Sequence, residues 1–209
     1  GAKNILHITC KAARKLFVFR GKKKKRCAQF SERKVFVENT LCKLCHTWQA
    51  DLLTFNLMDN HMHIGIGFDP LPFKLMSDRE IIERACDLDV KSEKRGRFTP
   101  AQRKRWIEKQ LADPAAVAQW RENFMTPSVF MKYLNEAVSR FINKQENTQG
   151  TLWSRPFHAT RIDDPRGLLT AMMYIDLNQI RAGMTRNLEE CMHSGIYYRM
   201  VDPDTLPKE

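Results

Sequence analysis

Two kinds of alternation run along the chain. Residues 4–11, NILHITCK, set Ile5, His7 and Thr9 against Leu6, Ile8 and Cys10, the period-two pattern of a strand. The pattern returns over residues 51–58 and 61–67, and Asp59-Asn60 between them reads as a tight connection, so these two segments are expected to pair as a hairpin. Between the first strand and the hairpin the period lengthens. Val37, Leu41, Leu44 and Trp48 recur at helical spacing, and Ser31 can cap a helix over 31–50 that covers one face of the sheet.

After Pro70 and Pro72 the pattern turns helical. Ser77-Asp78-Arg79-Glu80 spells a capping box before Ile81, Ile82 and Ala85, while residues 87–97, DLDVKSEKRGR, are charged and read as a loop. Thr99-Pro100, Asp113-Pro114 and Thr126-Pro127 each place a capping side chain before a proline at the first helical position, where a missing N–H costs nothing. The helix over 127–144 is expected to bury Phe130, Leu134, Ala137 and Phe141. Asn147-Thr148-Gln149-Gly150 ends it, residues 152–162 return as an extended segment, and Asp164-Pro165 opens a final long helix. There Leu168, Leu169, Met172 and Met173 are expected to be buried, and Thr170, Tyr174, Asn178 and Arg181 form one polar stripe.

Composition narrows the class. At 209 residues with 43% hydrophobic content, the chain is long enough for one core, and a single domain with an insertion is the simplest count. A net charge of +11 makes a polyanion the first partner to consider. A membrane ranks below it, because no apolar run approaches the ~20 residues of a span and no basic amphipathic helix stands out. The opening GAKNILHITCK lacks the apolar centre of a secretory signal, and the six cysteines are too scattered for a disulfide framework, so a cytoplasmic setting is expected. Cys42-Lys43-Leu44-Cys45-His46 spells a haem-attachment or half-zinc pattern, but it lies within the helical period and without a second pair, so these are read as buried helix cysteines.

The candidate chemistry begins at His61 and His63. On a strand their side chains leave one face while Met62 leaves the other, which pre-aims two imidazoles at one ion. Two ligands are too few, and His7 is read as structural. Tyr174 and Asn178 are one helical turn apart. If the last helix crosses the sheet beside the histidines, Asn178 supplies a third ligand and Tyr174 stands next to the ion. A phenol is a poor nucleophile unless positive charge lies nearby, and a divalent cation also offsets the charge that develops on an attacked phosphate. Lys22, Lys23, Lys24, Lys25 and Arg26 form a basic run suited to phosphates. Trp153 could stack on a base, with Arg155, His158, Arg161 and Arg181 toward a polyanion. The competing reading of this segment is a core tryptophan with surface arginines.

Three stretches, in this order, resemble a known family: Met58-Asp59-Asn60-His61-Met62-His63, Gly150-Thr151-Leu152-Trp153-Ser154-Arg155-Pro156-Phe157, and Tyr174-Ile175-Asp176-Leu177-Asn178-Gln179-Ile180-Arg181-Ala182-Gly183. Together with the opening strand and the first helix they are similar to the REP-associated tyrosine transposases of the HUH single-strand endonuclease superfamily. The likeness spans most of the chain outside 70–125. It implies an α+β fold, a ferredoxin-like antiparallel sheet packed by helices, with a helical insertion at about 70–125. It also implies nicking and joining of single-stranded or hairpin-forming DNA. His61, His63 and Asn178 would hold Mg²⁺ or Mn²⁺, the latter more tightly, and Tyr174 would form a 5′-phosphotyrosine link and release a 3′-hydroxyl. The family usually has proline where Asp59 and Gln179 stand, and a shorter connection in place of 77–125.

Two other readings stand beside this one: a non-catalytic DNA- or RNA-binding protein that keeps the fold, and a metallohydrolase with a water nucleophile and no use for Tyr174. Whether the chain works as a monomer or a homodimer is not readable from these residues.

Overall fold

The computed structural model describes residues 3–13, 18–19, 27–88, 98–154 and 156–201. The Lys22 to Arg26 run, Arg155 and most of the charged 87–97 segment lie outside them.

Strand periodicity translates directly into sheet. β1 (Asn4–Lys11), β2 (Asp51–Leu57), β3 (His61–Phe68) and β4 (His158–Ile162) form a sheet in the order β2-β3-β1-β4 with every neighbouring pair antiparallel. With α1 (Cys27–Trp48) between β1 and β2, and α6 (Pro127–Glu146) before β4, this is the ferredoxin-like α+β arrangement. Ile8, Cys10, Phe55, Leu57, Met62, Ile64 and Ile66 point to one face and are buried. The two helices cover them, α1 with Val37, Leu41, Leu44 and Trp48, and α6 with Phe130, Met131, Leu134, Val138 and Ile142. Trp48 sets its ring edge-on to Phe130 at 5.6 Å. The guanidinium of buried Arg33 on α1 donates to the Val18 carbonyl at 2.9 Å and to Gln145 and Glu146 at the end of α6, locking the two helices together.

The sequence patterns need correction at several helices. α1 begins at Cys27, a turn before the Ser31 cap, and ends at Trp48, where Gln49 turns left-handed with φ 46°. On α6 the buried stripe passes through Val138 and Ile142 rather than Ala137 and Phe141; Phe141 instead stacks on Phe36 at 4.0 Å near the edge of the core. The final long helix, α7 (Pro165–Asp176), buries Ile175 and Asp176, whereas Leu169 is 61% and Met173 53% exposed.

Between β3 and α6 the chain runs through α2 (Leu71–Leu75), α3 (Asp78–Asp87), α4 (Pro100–Leu111) and α5 (Pro114–Met125). The capping boxes Ser77/Glu80 and Thr99/Gln102 and the Asp113 cap start three of them. Thr126 makes no cap bond; its hydroxyl donates back to the Glu122 carbonyl. Ile82, Cys86, Ile107 and Val117 form a small core of their own, while Phe73, Ile81, Ala85 and Phe124 join the main one. None of the described helices is long and apolar enough to cross a membrane.

Candidate active site on the polar sheet face

The second sheet face is polar. Antiparallel register sets Thr9 opposite both His63 and His158, His7 opposite Gly65 and Thr160, Lys11 opposite His61, and Asn56 opposite His63. Directly opposed residues share a face, so β1, β2, β3 and β4 together present His7, Thr9, Lys11, Thr54, Asn56, His61, His63, His158 and Thr160. Three hydrogen-bonded strands, β1, β3 and β4, thus gather four histidines onto one face.

α7 lies against this face, over β2 and β3, and polar groups seat it. Thr54 Oγ1 donates to Asp176 at 2.5 Å, and the other oxygen of that carboxylate accepts from Arg199 of α9 (Gly195–Met200). Asn56 Nδ2 donates to the Ile175 carbonyl at 2.8 Å, and Gln179 Nε2, on α8 (Asn178–Arg181), donates to Asn56 Oδ1 and the Met192 carbonyl, each at 2.9 Å. Gly65 permits the close approach, because a Cβ there would lie 3.2 Å from Thr54 Cγ2 and 3.3 Å from Ile175 Cδ1.

With the helix seated, Tyr174 reaches the histidines. Its ring lies 5.7 Å from both His7 and His63, centre to centre, and the Arg181 guanidinium sits over it at 4.9 Å. Tyr174 is 41% exposed, and its hydroxyl has no hydrogen-bond partner among the described residues. His61 and His63 are edge to face at 4.9 Å. His61 Nδ1 lies 2.7 Å from Asn60 Oδ1; His63 Nδ1 lies 3.0 Å from His7 Nε2 and 3.1 Å from Thr9 Oγ1.

Burial sets the charge state of these rings. Desolvation, then the neighbouring His61, His7 and Lys11, lowers the His63 pKa to about 3. Burial likewise lowers His61, with Lys11 adding and Asp59 opposing, and His7, with His158 adding. Neutral imidazole is the form that ligates metal. Both ligand candidates engage Nδ1 and leave Nε2 without a hydrogen bond among the described residues, as a cation-holding pair requires. Among the described residues no third His, Cys, Asp or Glu joins them in a metal-holding group, Asp59 included. Asn178 is half-buried at the start of α8, one turn beyond Tyr174, and its side chain makes no hydrogen bond among the described residues.

The remaining sequence candidates divide. His158 is exposed on the histidine face. Arg161 pairs with Leu6 on the opposite side and is tied to Asp163 at 2.6 Å. Trp153 is 7% exposed in the core and donates from Nε1 to the Asn135 carbonyl at 3.0 Å, so its ring faces are not presented to a base. Arg155 and Lys22 to Arg26 lie outside the described residues. Sequence reading missed His7, Thr9 and Asn56 as neighbours of the pair. The parity of NILHITCK held part of the signal, but only strand order shows which partner His7 meets. A pocket of about 510 Å³ opens beside His61, lined by Met58, Asp59, Asn60, Ala182, Gly183 and Met184.

No family model matches the chain, and no curated protein is similar to it. Among solved structures, a REP-associated tyrosine transposase bound to a REP hairpin is similar over 91% of this chain and 75% of its own, at 11% identity and a TM-score of 0.44.

Proposed function

We propose that this protein nicks and rejoins single-stranded DNA, next to a hairpin, with Tyr174 as nucleophile and a 5′-phosphotyrosine intermediate. The observation that carries the reading is the meeting of a half-exposed phenol with an imidazole pair on one polar sheet face, 5.7 Å between the Tyr174 and His63 rings. His61, His63 and Asn178 would hold Mg²⁺ or Mn²⁺, which when bound draws charge from the non-bridging phosphate oxygens.

The chain's own groups do the rest. Tyr174 Oη attacks phosphorus and loses its proton; the bond to the 3′-oxygen breaks, and that oxygen leaves as a hydroxyl. The 5′-phosphate stays on the tyrosine, so a later 3′-hydroxyl can reverse the step without a nucleotide cofactor. Arg181 sits over the ring, and its exposed guanidinium makes no ion pair among the described residues, leaving N–H donors for a phosphate. The +11 charge supports DNA as the partner by attraction and counterion release.

Incubation with end-labelled hairpin single strands and Mn²⁺, followed by denaturing electrophoresis, tests the proposal. The parent chain is expected to carry covalent label and Tyr174→Phe none. A DNA- or RNA-binding protein without catalysis gives retention but no adduct, and a metallohydrolase cuts equally well with Tyr174→Phe.

A further inference from the structure

Beside both the nucleophile and His63 of the proposed ligand pair stands His7, which the sequence alone reads as structural. It comes from β1, touches the Tyr174 ring at 5.7 Å and the His63 ring at 5.2 Å, and places Nε2 3.0 Å from His63 Nδ1. Resting on the metal reading above, we propose that His7 is a positioning residue whose Nε2 accepts the Nδ1–H of His63 and so commits Nε2 of His63 to the cation.

The argument is proton counting. Two neutral imidazoles that share a nitrogen-to-nitrogen hydrogen bond hold one proton between those atoms. If His7 donates, His63 carries its remaining proton on Nε2, and that nitrogen has no lone pair for a ligand bond. If His63 donates, Nε2 of His63 is free to bind, and His7 carries its own proton on Nδ1. Thr9 Oγ1, 3.1 Å from the same Nδ1, offers a second acceptor. His61 uses a different device for the same purpose, since Asn60 Oδ1 at 2.7 Å accepts its Nδ1–H. The pair is thus oriented by an amide on one side and by an imidazole with a hydroxyl on the other. Strand register places His7 opposite Gly65 and, two residues on, Thr9 opposite His63, which puts both partners of the His63 ring on β1.

The test has two arms on the full chain. Long-range proton–nitrogen NMR of the metal-free protein reads the tautomer directly, and His63 is expected in the Nδ1–H form. His7→Gln keeps an acceptor near the Nε2 position and is expected to preserve that tautomer; His7→Leu is expected to shift it toward Nε2–H. Calorimetric titration with Mn²⁺ is expected to show His7→Leu weakened about 10–100-fold, the usual effect of removing an outer-shell partner, with His7→Gln close to the parent and Thr9→Val between them. An Nε2–H His63 in the parent protein overturns the proposal, as does a His7→Leu variant that binds Mn²⁺ as tightly as the parent. Failure of the parent to bind Mn²⁺ overturns the metal assignment itself and the purpose given to His7, whereas the hydrogen bond is still decided by the tautomer.

Discussion

At single residues, burial decides which groups can react. Cys42 sits on α1, where burial first and Glu38 second push its thiol up to about 11, and burial raises Cys10 to about 12. Thiolate is the reactive form, and among the described residues the Cys42/Cys45 pair belongs to no group of three or more His, Cys, Asp or Glu that could hold a metal. For Cys42 the thiolate fraction grows as pH rises toward 11, which sets the sign of the prediction. Alkylation of Cys42 in the native chain at about pH 8, followed by mass spectrometry, is expected to be on the order of a hundredfold slower than for a free cysteine and to speed up about tenfold per pH unit. Gly65 is a second such position. Gly65→Val pushes against Thr54 and Ile175, and is expected to destabilise the fold by about 1–3 kcal/mol in urea unfolding and to reduce adduct formation by lifting α7.

Among the elements, α7 is unusual in what holds it. Its buried end is Ile175 and Asp176 on a polar sheet face, fixed by Thr54, Asn56 and Arg199. The apolar-stripe rule assumes an apolar surface beneath the helix, so it chose Leu168, Leu169, Met172 and Met173 and missed the carboxylate. The hairpin of β2 and β3 and the proline-started helices were legible because alternation and caps are local signals. α6 shows the limit of periodicity: Phe141 and Ile142 both suit an apolar stripe, yet the fold buries Ile142 and leaves Phe141 partly buried, stacked on Phe36 of α1. Thr54→Val takes a donor from the buried Asp176 carboxylate while keeping the shape. It is expected to cost about 1–3 kcal/mol of stability in denaturant unfolding; an unchanged midpoint would show that Arg199 suffices.

For the whole molecule, topology assembles the site. His7, His63 and Tyr174 meet because β1 inserts between β3 and β4 and α7 returns across the face. His-x-His and Tyr-x-x-x-Asn could be picked out from spacing, whereas the third histidine could not, since strand order is a non-local outcome. Trp153 was undecided in sequence for the same reason: its burial depends on a bridge to Ala12. The +11 charge also acts at this scale. Affinity for single-stranded hairpin DNA, measured by fluorescence anisotropy, is expected to fall on the order of a hundredfold from about 50 to about 200 mM salt if about five phosphates are neutralised.

Chemistry at Tyr174 is best tested by locating the covalent bond. Tyr197 and Tyr198 are the other phenols near the C-terminus, and Tyr198 is half-buried against Phe55, its hydroxyl pushed up by burial and by Glu38. Mass spectrometry of the protein–DNA adduct after trypsin and nuclease is expected to find a nucleotide on Tyr174, in the peptide that follows Arg166 and ends at Arg181. A nucleotide on any other residue, or no adduct from the parent chain with Mn²⁺ and hairpin DNA, would contradict it.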